Sequence, residues 1–174
     1  MEMANEALKN LLTRRSIRKY AAQPVEEEKI KLILQAAMAA PSARNLQPWE
    51  FIVLTKRETL DALVNFSPHV KMLKEAPLAI VVCGKTDEET GSPDWWVIDC
   101  SAAVQNALLA AHALGLGAVW LGVHPRRDRQ EALENFFQLP ANVKPHSMIA
   151  IGYPAEQKEP ANRFREERVH REAW

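Results

Sequence analysis

Apolar residues recur along this chain at two spacings, every third or fourth position and uninterrupted short runs, and their order lays out the elements. Ala4, Leu8, Leu11 and Leu12 share helical spacing, so residues 4–12 read as a first helix that breaks into the basic stretch Arg14-Arg15-Ser16-Ile17-Arg18-Lys19. Pro24 opens a second helical segment with Glu26, Glu27 and Glu28 in its first turn, where negative charge suits the helix dipole. Ile30, Ile33, Leu34 and Ala37 share its apolar face, and Pro41 stops it. Residues 41–48 (PSARNLQP) are a loop by composition, and 49–55 (WEFIVLT) a short strand. A third helical segment covers about 57–66, with Leu60, Leu63 and Val64 as its buried face, before Pro68 interrupts it.

The continuous apolar run 77–83 (PLAIVVC) predicts a strand covered on both faces. Residues 95–114 form the longest helix, with Ile98, Ala102, Gln105, Leu109 and His112 in one row and many alanines that admit a neighbouring helix closely. Gly115 and Gly117 cap it, a strand follows at 118–123, Pro125 begins a helix through Phe137, and 147–153 (SMIAIGY) is the last strand. Helices interleave with about four strands, which predicts an α+β fold or a three-layer α/β sandwich, with helices on both faces of a small sheet. The polar arm 154–174 is too long for a simple connection and is expected to pack on something, a second subunit among the choices.

Composition narrows the function classes. The 22 Lys and Arg residues balance 22 Asp and Glu, so no global field draws the chain to nucleic acid or an anionic membrane. With 47% apolar and 25% charged residues it is an ordinary globular sequence, and its length supports one good core and one domain, residues 1–174, without disulfides. Cys83 and Cys100 form neither a zinc set nor a disulfide framework and read as reduced, buried thiols. Neither a secretory signal nor an apolar run near the ~20 residues of a membrane span is present, so a cytoplasmic location is expected.

Four segments carry candidate chemistry. The stretch 14–19 is either a solvated helix end or an anion clamp, three guanidiniums around the Ser16 hydroxyl suiting a phosphate. The loop 41–48 is either a plain turn or a rigid array of Ser42, Asn45 and Gln47 between prolines, suited to a heteroaromatic edge. In 115–123 (GLGAVWLGV) the glycines follow a helix and lead into a strand, the reverse of a dinucleotide fingerprint, yet Gly122 lets a flat ligand approach the backbone. Arg163 and Arg165 in the tail are either a solvated run or the far side of the same anion site. The five histidines show no HExxH spacing, GxSxG and the P-loop are missing, and a cofactor is the expected carrier of any chemistry.

Taken in order, RRSIRKY at 14–20, APSARNLQPWEF at 40–51, the strand ending VVCGKT, GLGAVWLG at 115–122 and the closing RFREERVHREAW resemble the FMN-dependent nitroreductase family. The resemblance implies an α+β, three-layer α/β/α sandwich with a small central sheet flanked by helices. It also implies an intertwined homodimer, with two flavins at the subunit interface and the arm 154–174 packed there. By position, Arg14, Arg15, Ser16 and Arg18 match the phosphate clamp that Arg163 completes. Pro41, Ser42 and Asn45 match the loop that reaches the flavin from the partner subunit. Trp120, Leu121 and Gly122 match the segment beside the ring, where a backbone N–H faces N5. Lys71 is a further candidate ring contact, Arg165 fits less closely, and Asp94, Trp95 and Trp96 suit either packing or an aromatic wall over the ring.

The implied activity is NAD(P)H oxidation through FMN, hydride passing by way of flavin N5 to a nitroaromatic, quinone or similar small-molecule acceptor in a ping-pong cycle, with no catalytic side chain. Nicotinamide donors are NADH or NADPH; nucleic acid, membrane and metal are not expected. A reductive dehalogenase or specialised flavin branch of the family, and a non-catalytic flavin-binding sensor or storage protein, are the alternatives.

Overall fold

Helix α1 (Glu6–Thr13) begins at Asn5, whose side-chain oxygen accepts from the Ala7 and Leu8 amides and so satisfies two of the helix's open donors. It buries no residue and leaves Leu8, Leu11 and Leu12 more than half exposed. Its ties to the body are polar: Asn10 Nδ2 donates to the Leu109 carbonyl at 3.0 Å, and Thr13 Oγ1 lies 2.9 Å from His112 Nε2. The computed structural model describes residues 5–86 and 95–174.

Helix α2 (Glu27–Met38) buries Ile30, Ile33 and Ala37, the face that the spacing predicts. The strand β1 (Trp49–Leu54) and helix α3 (Arg57–Ala62) follow; α3 tightens into a 3-10 turn at Leu63–Asn65, so the third helix is shorter than the predicted 57–66. Strand β2 (Leu78–Lys85) is buried at every position but the last, as its unbroken apolar run requires.

Helix α4 (Trp95–Ala113) has the predicted length. Its core side carries Trp96, Cys100, Ala103, Val104, Ala107, Leu108 and Ala111, whereas Ile98 of the spaced row is exposed. An alanine-rich helix offers an apolar stripe in several directions, and the sheet selects one. Trp96 is therefore a core residue, Trp95 is exposed, and Asp94 lies outside the described residues.

Gly115, at φ +76°, ends α4 in the left-handed conformation that glycine adopts without strain. Strand β3 (Gly117–Gly122), helix α5 (Arg127–Phe137) and strand β4 (Val143–Gly152) complete the core. The sheet runs β1-β2-β4-β3, antiparallel throughout. β4 starts earlier than its apolar signal, in Val143-Lys144-Pro145-His146, and there Val82 pairs with Ser147 while Cys83 pairs with Pro145. His146 is the extra residue of that bulge.

Alternate strand residues face two cores. Leu78, Ile80, Val82, Ile149 and Ile151 pack toward α2 and α4; Ala79, Val81, Cys83, Met148 and Ala150 pack toward Leu60, Leu73 and Leu133 of the other layer. This is the α+β, three-layer architecture expected, with helices on both faces of a small sheet. Cys83 and Cys100 are free and buried, and burial pushes both thiols up, Cys83 to about 12.

Candidate functional site

The segment after α1 is laid along the open edge of β3. Ser16 forms a parallel bridge to Ala118, the Ile17 amide donates to the Ala118 carbonyl at 3.1 Å, and Ile17 packs against Gly117, where a Cβ would come within 2.6 Å of its side chain. The first part of the C-terminal arm then closes over this segment. Arg15 Nη1 donates to the Glu159 carbonyl, Lys158 Nζ to the Ser16 carbonyl at 2.8 Å, and the Arg18 amide to Glu156 Oε1 at 2.6 Å.

That strapping carries Arg163 to Arg14. The two line one cavity of about 460 Å³ with Leu11, Leu12, Asn162 and Phe164, so the two ends of the chain meet there. The Arg14 guanidinium has no acidic or hydrogen-bonding partner among the described residues, and it is held below the usual arginine range by burial first and by the charges of Arg163 and Arg15 next. Like charges gathered in a partly desolvated place, without a carboxylate to balance them, make a site for an anion with several acceptor oxygens.

The basic stretch divides. Arg15 is engaged by the arm, and Arg18 opens into a second cavity of about 440 Å³ with Trp120, Leu121 and Gly122 of β3 and with Lys71, the extra candidate. Arg129 of α5 lines it too and donates through Nη1 to the Gly122 carbonyl at 2.7 Å. Arg129 escaped the sequence reading; its signal was the basic run directly after the glycine-bearing strand. Arg165 lines neither cavity and lies 4.0 Å from Glu167.

Pro41, Ser42 and Asn45 stand apart from both cavities, in the loop between α2 and β1. One chain thus assembles Arg14 with Arg163, and Arg18 with Trp120, Leu121 and Gly122, but not the third group.

Behind β3, Trp120 tilts against His146 at 5.7 Å between ring centres. Ser101 gives its proton to the Val97 carbonyl at 2.7 Å, so its oxygen accepts from His146 Nε2–H at 3.1 Å, and Ser147 Oγ–H is left to donate to His146 Nδ1 at 3.1 Å. Both ring nitrogens are satisfied in the neutral form. Burial, then the neighbouring His124, pushes His146 down to about 4. Among the described residues no group of three or more His, Cys, Asp or Glu is placed to hold a metal, and no helix is long and apolar enough to cross a membrane.

Comparison with known proteins agrees with this fold. A model of the nitroreductase family matches residues 11–72 and 67–153. A protein of Methanothermobacter thermautotrophicus named for NADH dehydrogenase or NAD(P)H nitroreductase activity is 48% identical over 97% of this chain and 88% of its own. An FMN-dependent nitroreductase of Clostridium difficile superposes with a TM-score of 0.88 at 36% identity, covering 96% of this chain and 99% of that one. A Desulfovibrio desulfuricans protein solved in complex with FMN gives 0.85 at 34% identity, covering 99% of each. With its two-sided antiparallel sheet and its matched sequence, the chain belongs to the nitroreductase family.

Proposed function

We propose that the protein is an FMN-dependent NAD(P)H oxidoreductase that reduces nitroaromatics, quinones or similar small acceptors, working as a homodimer with two shared flavin sites. The observation that carries this reading is the Arg14–Arg163 pair, two guanidiniums on one cavity with no carboxylate partner among the described residues. A phosphate monoester, dianionic and rich in acceptors, fits that donor set. The relatives named for FMN and NAD(P)H support the identity of the ligand and of the donor.

FMN, when bound, supplies hydride acceptance and release, so the chain itself needs no acid, base or nucleophile. Arg14 and Arg163 would hold the phosphate, with Ser16 beside them. Arg18 and Lys71 would present positive charge to the ring, and the Trp120–Gly122 backbone would border it. Arg129, by holding the Gly122 carbonyl, would keep that border still. Donor and acceptor would use one ring face in turn, which makes the cycle ping-pong.

Two further features support a dimer. Pro41, Ser42 and Asn45 are remote from their own chain's cavities, as a loop serving a second copy would be. Large apolar side chains are exposed on α1, on α4 at Trp95 and Ile98, and along the arm at Phe164, Val169 and Trp174. Residues 1–174 would then form one domain whose arm, 154–174, lies at the interface. The free thiols suit a reducing compartment such as the cytoplasm.

Anaerobic titration tests the reading. The FMN-loaded protein is expected to lose its visible absorption on adding NADH or NADPH and to regain it on adding a nitroaromatic. A protein that binds FMN but never bleaches would be a flavin binder without turnover, and one that binds no FMN at all would overturn the reading.

A further inference from the structure

The loop between α2 and β1 is held in a costly shape. Arg44 (φ 53°), Asn45 (φ 57°) and Gln47 (φ 49°) are all left-handed without being glycine. Each such residue is strained, so the surrounding structure must dictate the conformation. Part of the answer lies inside the loop. The Asn45 and Leu46 amides donate to the Ser42 and Ala43 carbonyls at 3.0 and 3.1 Å, the Gln47 amide to Ser42 Oγ at 3.0 Å, and Gln47 Nε2 to Asn45 Oδ1 at 2.9 Å. These bonds give the loop a form but fix it to nothing.

Its anchor is Asp99. This residue of α4 is 5% exposed, and its Oδ1 accepts from the Ala43 amide at 3.0 Å. No cation pairs with it among the described residues. A carboxylate taken out of water without a counter-charge is costly, and an interior apolar residue would fill the place more cheaply unless the bond to Ala43 matters. Ala43 stands between Ser42 and Asn45, two of the residues assigned to the flavin.

We propose that Asp99 is a positioning residue for the flavin site of the partner subunit. By fixing the Ala43 amide, it orients the strained loop so that Ser42 and Asn45 complete a site whose cationic half belongs to the other chain. This rests on the function proposed above and adds to it a residue that touches neither flavin nor substrate.

The test measures FMN dissociation constants on full-length dimers, with thermal melting in parallel. Asp99→Asn keeps an oxygen for Ala43 and is expected to bind FMN within about twofold of the parent; Asp99→Ala is expected to bind it about tenfold more weakly, the scale of one lost buried hydrogen bond. Ala43→Pro provides a second route, since it deletes the donor at the first position of a 3-10 turn preceded by an extended residue, where proline fits. It should weaken FMN to the same extent, and combining it with Asp99→Ala should add little.

The decisive arm is a mixed dimer of an Asp99→Ala chain with an Arg14→Ala/Arg163→Ala chain, purified through two different tags. Positioning across the interface rebuilds one intact site, so one FMN per dimer should bind with the parent's affinity. Two weakened sites in the mixed dimer, or parent-like binding by Asp99→Ala alone, would overturn the proposal. Failure of the unmodified protein to bind FMN would instead reject the underlying function, so the two failures read differently.

Discussion

Arg14 concentrates the electrostatics of the chain on one side chain. Because its neighbours Arg163 and Arg15 repel it in the free protein, Arg14→Ala should leave the stability of the flavin-free protein unchanged or raise it slightly. On the proposed function the same change would remove a charge-assisted contact worth roughly 1.5–3 kcal/mol, so FMN affinity should fall by roughly ten- to a hundredfold in a fluorescence titration. His146 makes the opposite case, a buried group that lines neither cavity and matters to folding. Its folded value of about 4 lies below the ordinary histidine value of 6.5, so the unfolded chain takes up a proton that the folded chain refuses. Stability should therefore be full above pH 6.5, decline as pH falls to about 4 by about 3 kcal/mol in all, and lose no more through this group below that. His146→Gln should flatten that stretch of the urea-stability profile against pH. The residue types of the candidate site were legible in the sequence, since clustered arginines suit an anion. The proton arrangement at His146 was not, because Ser101 and Val97 reach it only through the packing of α4 on the sheet.

At the scale of elements, helices and strands were read correctly wherever one pattern dominated. α2 had a single apolar face and β2 a single unbroken run, and both fell as expected. The spacing in α4 leaves its rotation open because alanines surround it, and β4 starts before its apolar signal because Lys144 and Pro145 conceal the start of a strand that a bulge makes possible. The glycines of β3 show what a motif alone cannot separate. Gly117 is required by the fold: a Cβ there meets Ile17 at 2.6 Å, on the segment that bears Arg14 and Arg18. Gly117→Ala should cost roughly 1–3 kcal/mol in urea unfolding, and should weaken FMN binding as the segment lifts from the strand. At Gly122 a methyl group would meet no atom within 4 Å, so Gly122→Ala should melt like the parent. Any loss it causes should appear in FMN binding and turnover alone.

The whole molecule holds more apolar surface at its ends than one chain can cover. α1 is an eight-residue helix, too short to persist by itself in water, and it buries none of its own residues. The arm is tied to the body through Ala155, Glu156, Lys158 and Glu159, and beyond Arg163 it exposes Phe164, Val169 and finally Trp174, whose side chain is fully open to solvent. A sequence can mark such an arm as too long for a connection, but it cannot say what the arm packs on, and within the one chain Phe164, Val169 and Trp174 stay exposed. Cutting the chain after Pro160 separates the possibilities. The strap over residues 15–21 survives this cut, so the fold of the remaining protein should persist by circular dichroism. Arg163 and the exposed aromatic residues go with the removed piece. Sedimentation should then show the proposed dimer dissociating at concentrations where the full chain stays paired, and FMN binding should fall below that of Arg163→Ala alone, because the proposed shared site would lose its second chain as well as its charge. A truncated protein that stays dimeric and binds FMN like Arg163→Ala would confine the arm's role to delivering one guanidinium.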